Sequence, residues 1–281
     1  MPDFSKFLIA SDLDGTFLNK EVKSVPRNLD AIARFQAHGG LFTVNTGRAH
    51  YTVRSSVPDT QCVVNAPAAL CNGAYLYNYQ TGEILLGELL PPEDVTDILE
   101  FCRTHFPDVG LRGILREKVL VHEPEGIEHS RVFGNEQGLV VFDLPVQDWP
   151  TTNWFKLVAR STPARIAEMR HAFAATFGER FGRTSSSARV VEIQLPHSNK
   201  AVGLEKMRLL SPEIASRTII ACGDFENDIP ALKAADIAIC PANAMEEVKK
   251  ICDFVLCDCD DGLIADIIEH IEAGKILPKK K

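Results

Sequence analysis

Along this chain, short apolar runs end repeatedly in a small polar cluster. The first, Phe7–Ala10 in "FLIASDLDGTFL", is nearly continuous and uncharged, the pattern of a strand covered on both faces, as in parallel sheets. It stops at Asp12, Asp14 and Gly15. Burying an unpaired charge is costly, so the acids belong just past the strand's C-terminal end, the rim where open α/β sheets bind ligands. If the chain stays extended there, residues two apart point the same way. Leu41–Val44 repeats the pattern and ends in Thr46, Gly47 and Arg48. Thr218–Cys222 repeats it again, ending in Gly223, Asp224, Asn227 and Asp228, and a fourth run in "ADIAICPANA" ends near Asn243. Between these runs, "VPRNLDAIARFQAHGG" sets Leu29, Ile32, Ala33 and Phe35 at helical spacing and closes with Gly39–Gly40, a glycine stop. Asn72–Gly73 marks a hairpin turn, and "DDGLIADIIEHIEAG" predicts a closing helix. Strands alternating with helices predict an α/β fold with a parallel sheet.

The middle of the chain differs. From about Gly82 to about Leu195 the polar strand ends vanish. "PPEDVTDILEFCRTHF" and "TPARIAEMRHAFAATF" predict helices; "EKVLVHEP", "NWFKLVAR" and "ARVVEIQL" predict strands. The expected organisation is therefore a core in two parts, 1–81 and 196–281, split by an α+β insert over 82–195.

Composition narrows the function. The 281 residues carry a formal net charge of -8, which argues against a general nucleic-acid-binding role; the terminal "PKKK" is too short to change that. No stretch reaches the 18 or so apolar residues of a membrane-spanning helix, and the start lacks the features of a secretory leader. A cytoplasmic protein with no membrane partner is expected. The eight cysteines are scattered, several inside apolar strings such as "IIACGD" and "IAICPA", where cysteine serves as a small core residue. None forms a CxxC pair, so a zinc site is not expected.

Four polar clusters remain: Asp12/Asp14, Thr46–Gly47, Lys200 and Asp224/Asp228. They contain what phosphoryl transfer requires. A carboxylate can attack phosphorus and form an aspartyl-phosphate. Both partners are anions, so positive charge must screen them. Mg²⁺ suits this, because it takes oxygen ligands and bridges carboxylates to phosphate, and Lys200 supplies a second cation. The Thr46 hydroxyl and Gly47 amide can donate to phosphate oxygens. Asp14 can protonate the leaving oxygen and then take a proton from water.

The motifs "DLDGT" (Asp12–Thr16), "NTGR" (Asn45–Arg48), "SNKAVGLEKM" (Ser198–Met207) and "GDFENDIPAL" (Gly223–Leu232) resemble the four motifs of the haloacid dehalogenase superfamily. "CNGAYLY" and the late "ANA" resemble its Cof-type subfamily, whose large cap lies between the second and third motifs. The resemblance implies a Rossmann-like parallel-sheet core with an inserted α+β cap that sets substrate specificity. It implies Asp12 as nucleophile and Asp14 as general acid/base. Thr46, Gly47 and Lys200 hold the phosphate with help from Asn227, and Mg²⁺ is ligated by the Asp12, Asp224 and Asp228 carboxylates and the Asp14 main-chain carbonyl. The family often has glycine after the lysine, where this chain has Ala201. The implied activity is a Mg²⁺-dependent phosphatase acting on a small phosphorylated metabolite, a sugar phosphate or a phosphorylated cofactor. A phosphomutase resembling phosphomannomutase and a catalytically idle binding protein are the alternatives. Arg48 has two readings, substrate contact or an ion pair bracing the second motif. Asn243 is expected to brace a loop, His197 to act as a hinge residue, and Lys156 and Lys206 to be solvated or snorkelling. Arg183, Ser185, Ser186, Ser187 and Arg189 could face a leaving group, but a plain turn before a strand is the simpler reading.

Overall fold

The computed structural model describes residues 3–57, 59–124, 139–141 and 144–278; the basic tail at 279–281 lies outside them. Two compact units result, one from residues 1–87 with 199–281 and one from residues 88–198.

In the first unit, β1 (Phe7–Ser11), α1 (Pro26–Ala37) and β2 (Leu41–Val44) open the chain. Two short helices, α2 (His50–Arg54) and α3 (Thr60–Val63), precede a small antiparallel sheet of β3 (Ala68–Leu70), β4 (Tyr75–Asn78) and β5 (Glu83–Gly87). The second unit carries α4 (Pro92–His105), β6 (Gly110–Leu115), β7 (Val119–His122), β8 (Val140–Val141), β9 (Trp154–Arg160), α5 (Pro163–Phe177), β10 (Gly182–Thr184) and β11 (Val190–Gln194). The first unit then resumes with α6 (Lys200–Leu210), α7 (Pro212–Ser216), β12 (Thr218–Cys222), α8 (Ile229–Ala234), β13 (Ile237–Pro241), α9 (Glu246–Lys249), β14 (Phe254–Leu256) and α10 (Leu263–Glu272).

Among the described residues, the main sheet of the first unit is five-stranded and parallel, in the order β14-β13-β12-β1-β2. It is a Rossmann-like core. All five residues of β1, β12 and β13 are buried, which explains their uninterrupted apolar runs. Leu8, Ala10, Ile219 and Ala221 pack with Leu204 and Met207 of α6 and Leu232 of α8. Elsewhere in this unit, fully buried Asn28 of α1 donates to Phe17 O at 3.3 Å and accepts from Ala265 N of α10 at 3.0 Å.

Register is what builds the site. Ser11 pairs with Val44 on one side and Cys222 on the other, so the residues that follow these three leave the sheet at one rim. Asp12, Asn45–Thr46 and Gly223–Asp224 are thereby gathered from distant parts of the chain.

Among the described residues, the second unit carries a six-stranded sheet in the order β10-β11-β9-β6-β7-β8, antiparallel except for β7 with β8. Helices α4 and α5 bury Ile98, Phe101, Ile166 and Phe173 in one cluster with Leu111, Leu157, Val191 and Ile193 of the strands. The unit boundaries fall later than the expected 81/82 and 195/196. Glu83–Gly87 is paired to β4 and belongs to the first unit. Within the second unit, the Gln194 amide donates to Ser198 O at 2.7 Å and keeps 196–198 with it. Lys156 is not solvated: it is 2% exposed, and its Nζ donates to Glu192 Oε2 at 2.5 Å. Lys206 is half-buried, its Nζ donating to the Gly73 and Ala74 carbonyls at 3.1 and 3.3 Å. No helix among the described residues is long and apolar enough to cross a membrane.

Candidate active site

Asp12 continues the parallel ladder, its N–H donating to Cys222 O at 2.9 Å, and is 7% exposed. Lys200 is the first residue of α6, whose N-terminus Asn199 caps by accepting from the Ala201 and Val202 amides at 2.9 and 3.2 Å. Ala201 thus sits in a regular first turn, and no glycine is needed there. The cap directs a 1%-exposed ammonium to Asp12 Oδ1 at 2.7 Å and Asp228 Oδ1 at 2.6 Å. The other Asp228 oxygen accepts from the Asp224 and Phe225 amides at 3.0 and 3.1 Å. Thr16 donates to Asp224 Oδ1 at 2.9 Å. Asp12, Asp224 and Asp228 each offer a carboxylate oxygen, all within 4.8 Å of one another.

The electrostatics follow from burial. Desolvation, offset only in part by Lys200, and then Asp228, Asp224 and Asp14 push the Asp12 carboxyl up to about 8. Desolvation and then Asp228 push Asp224 up to about 7. Burial also opposes the charge on Lys200, but Asp12 and Asp228 overcome it and hold the ammonium above the ordinary lysine range. Three acids against one lysine leave the cluster short of positive charge. With an all-oxygen donor set, it fits a hard divalent cation.

Thr46 is 1% exposed; its amide donates to Ala69 O at 2.9 Å, and its Oγ1 accepts from Arg48 N at 3.2 Å, leaving the hydroxyl proton to donate. Gly47 follows it, half-buried. Asn227 lies in the short turn Glu226–Asp228, 6% exposed, and its Oδ1 has no hydrogen-bond partner among the described residues. The Asp14 side chain stands apart from the oxygen cluster: it is 53% exposed and pairs with Arg48. Of the two readings of Arg48, the ion pair is the one observed. Asn243 braces the first motif, donating to Gly15 O at 2.8 Å and accepting from Cys259 N at 2.9 Å. His197 contacts Glu88 at 2.7 Å. In the second unit, Ser185 accepts from Arg170 at 2.9 Å and Ser186 donates to Glu192 at 3.2 Å.

Sequence reasoning misses Asn45. It is 2% exposed and donates to Lys200 O at 2.9 Å, tying the second motif to the third. Its signals are that the apolar run of β2 stops at an asparagine and that this asparagine opens the motif "NTGR", but neither gives it a role.

The chain belongs to the haloacid dehalogenase-like hydrolase family, whose model matches residues 9–268. It is 24% identical to the pyridoxal phosphate phosphatase YbhA of Escherichia coli, over 93% of this chain and 97% of that one. It is 26% identical to the Bacillus subtilis 5-amino-6-(5-phospho-D-ribitylamino)uracil phosphatase YwtE, over 95% of this chain and 98% of that one. A haloacid dehalogenase-like hydrolase from Bacteroides thetaiotaomicron shares the fold with a TM-score of 0.79 at 22% identity, covering 94% of this chain and 98% of that one.

Proposed function

We propose that this protein is a Mg²⁺-dependent phosphatase that hydrolyses a small phosphorylated metabolite through an aspartyl-phosphate on Asp12. The observation that carries the reading is Lys200, buried and bonded at once to Asp12 and Asp228, beside three carboxylate oxygens that lie within 4.8 Å of one another.

The carboxylates of Asp12, Asp224 and Asp228, with the Asp14 carbonyl, would hold Mg²⁺. When bound, the ion supplies positive charge that screens a carboxylate from a phosphate and stabilises charge on the transferring group. The rest is done by this chain's own side chains. Asp12 attacks phosphorus with one carboxylate oxygen. Lys200 fixes the position of that carboxylate and neutralises part of the charge that gathers there. The Thr46 hydroxyl, the Gly47 amide and Asn227 donate to the phosphate oxygens. Asp14 gives a proton to the leaving oxygen and then takes one from the water that releases phosphate. The inserted unit reads the leaving group. Relatives named for pyridoxal phosphate and for a ribitylamino-uracil phosphate support a phosphorylated cofactor or sugar as the substrate class.

A panel of phosphorylated metabolites, assayed for phosphate release with Mg²⁺ and with chelator, tests this reading. Release should require Mg²⁺. Asp12→Asn should abolish turnover, and Asp14→Asn should lower it about 100- to 10,000-fold. Near-normal release by Asp12→Asn, with deamidation ruled out by mass, or full activity in chelator, would sink it.

A further inference from the structure

The fork of the Arg48 guanidinium is spent on a single carboxylate. Its Nε donates to Asp14 Oδ2 at 2.8 Å and its Nη2 to Asp14 Oδ1. The arginine side chain is 6% exposed and the aspartate's 53%. Surface ion pairs between two mobile side chains contribute little, but here one partner is fixed. Arg48 Nη1 donates to Ser56 Oγ at 2.5 Å and to Thr52 O at 3.5 Å. Its amide donates to Thr46 Oγ1 at 3.2 Å, and its carbonyl accepts from Cys71 N at 3.0 Å. A planar two-pronged contact sets both the position and the plane of a carboxylate. Asp14 is therefore aimed by a residue 34 positions away.

We propose that Arg48 is a positioning residue whose bidentate grip aims the Asp14 carboxylate, and that, where the leaving group needs no proton, its effect falls on hydrolysis of the phospho-enzyme. This rests on the roles assigned above to Asp12 and Asp14. In the first half of that reaction an Asp12 oxygen bonds to phosphorus, the ester P–O bond breaks, and the leaving oxygen takes the Asp14 proton. In the second half a water oxygen bonds to phosphorus, and Asp14 takes the water proton. The P–O bond to Asp12 breaks, releasing inorganic phosphate and the Asp12 carboxylate. The same grip fixes where the Asp14 carboxylate stands in both halves. A leaving group that needs no proton bypasses Asp14 in the first half, so a defect confined to the second half appears as accumulated phospho-enzyme.

The test compares the full-length wild type, Arg48→Gln, Arg48→Lys, Asp14→Asn and the double variant Arg48→Gln/Asp14→Asn, with Mg²⁺ and p-nitrophenyl phosphate. Arg48→Gln should lower kcat about a hundredfold, the scale of a misplacement of about 1 Å, without raising KM. It should also show a nitrophenolate burst approaching one per chain. Arg48→Lys keeps the charge without the fork and should recover part of the loss. Because Arg48 acts through Asp14, the double variant should be no slower than Asp14→Asn alone. Wild-type kcat in Arg48→Gln, a raised KM at unchanged kcat, or a further loss in the Asp14→Asn background would each overturn the proposal. If Arg48→Gln does not fold, Arg48→Lys takes its place in the cycle, and the same three results overturn the proposal. Wild-type turnover in Asp14→Asn would instead remove the acid/base reading itself, whatever Arg48 does.

Discussion

Gly15 shows how tightly single positions are specified around the acids. Its φ is +74°, and a β-carbon placed there would lie 2.6 Å from Asp224 Oδ2. Gly15→Ala therefore combines a left-handed strain of roughly 1–2 kcal/mol with a push on one of the three clustered carboxylates. The expected outcome is a lower melting temperature together with a raised Mg²⁺ requirement for phosphate release, read from activity against Mg²⁺ concentration. A change in stability with an unaltered Mg²⁺ curve would mean that Asp224 tolerates the displacement. The acids and Lys200 were legible in the sequence because each falls at the end of an apolar run or the start of a helix, where a charge has to be explained. Their braces were not. The partners of Asn45 and Arg48 lie 155 and 34 residues away, and nothing local to either residue names its partner.

At the scale of elements, the buried Lys156–Glu192 pair spans β9 and β11. In the ladder Glu192 faces Val158, and Gln194 faces Lys156, so the two charges are diagonal neighbours on one face of the sheet. Read along β9 alone, Lys156 is one of two charged residues in "WFKLVAR", and solvation is the natural expectation; only the register with a strand 36 residues on reverses it. Removing one member takes the ion-pair partner from a buried charge. Lys156→Ala is expected to destabilise the inserted unit by about 3–5 kcal/mol, whereas replacing both residues with apolar ones of similar size should cost much less. Denaturant unfolding of the single and double variants checks this, and equal losses in both would show that the pairing is not what matters. The same dependence on register hid β5 and β6. "GLRGIL" carries an arginine and two glycines, and Gly113 is required because a β-carbon there would come within 2.3 Å of the Trp154 ring. The helices α4, α5 and α10 were legible from their own periodicity and their proline or glycine boundaries.

At the scale of the whole molecule, the placement of β5 decides where the chain can be cut. Replacing 88–198 with a short linker keeps Glu83–Gly87 on β4, whereas cutting at 82 and 195 strips that strand away and bares the edge of β4. The first deletion should give the better-behaved protein by size-exclusion chromatography. Its hydrolysis of p-nitrophenyl phosphate should suffer less than its discrimination among metabolites, and retained discrimination would assign leaving-group recognition to the remaining core. The parallel pairing of Phe7 with Thr218 has a further consequence, for the order of events during synthesis. Strand β1 emerges from the ribosome long before its partner exists, and contacts between distant segments form slowly. Residues 88–198, by contrast, are contiguous and carry their own apolar cluster, so they should fold first. The sheet that carries Asp12 must then wait with β1 unpaired on one side until Thr218–Cys222 has been made. A chain truncated near residue 200 and released from the ribosome should show protease protection confined to the inserted segment; protection of β1 at that length would refute the order. The oxygen cluster of Asp12, Asp224 and Asp228, though its first member is made early, is then among the last parts of the fold to take shape.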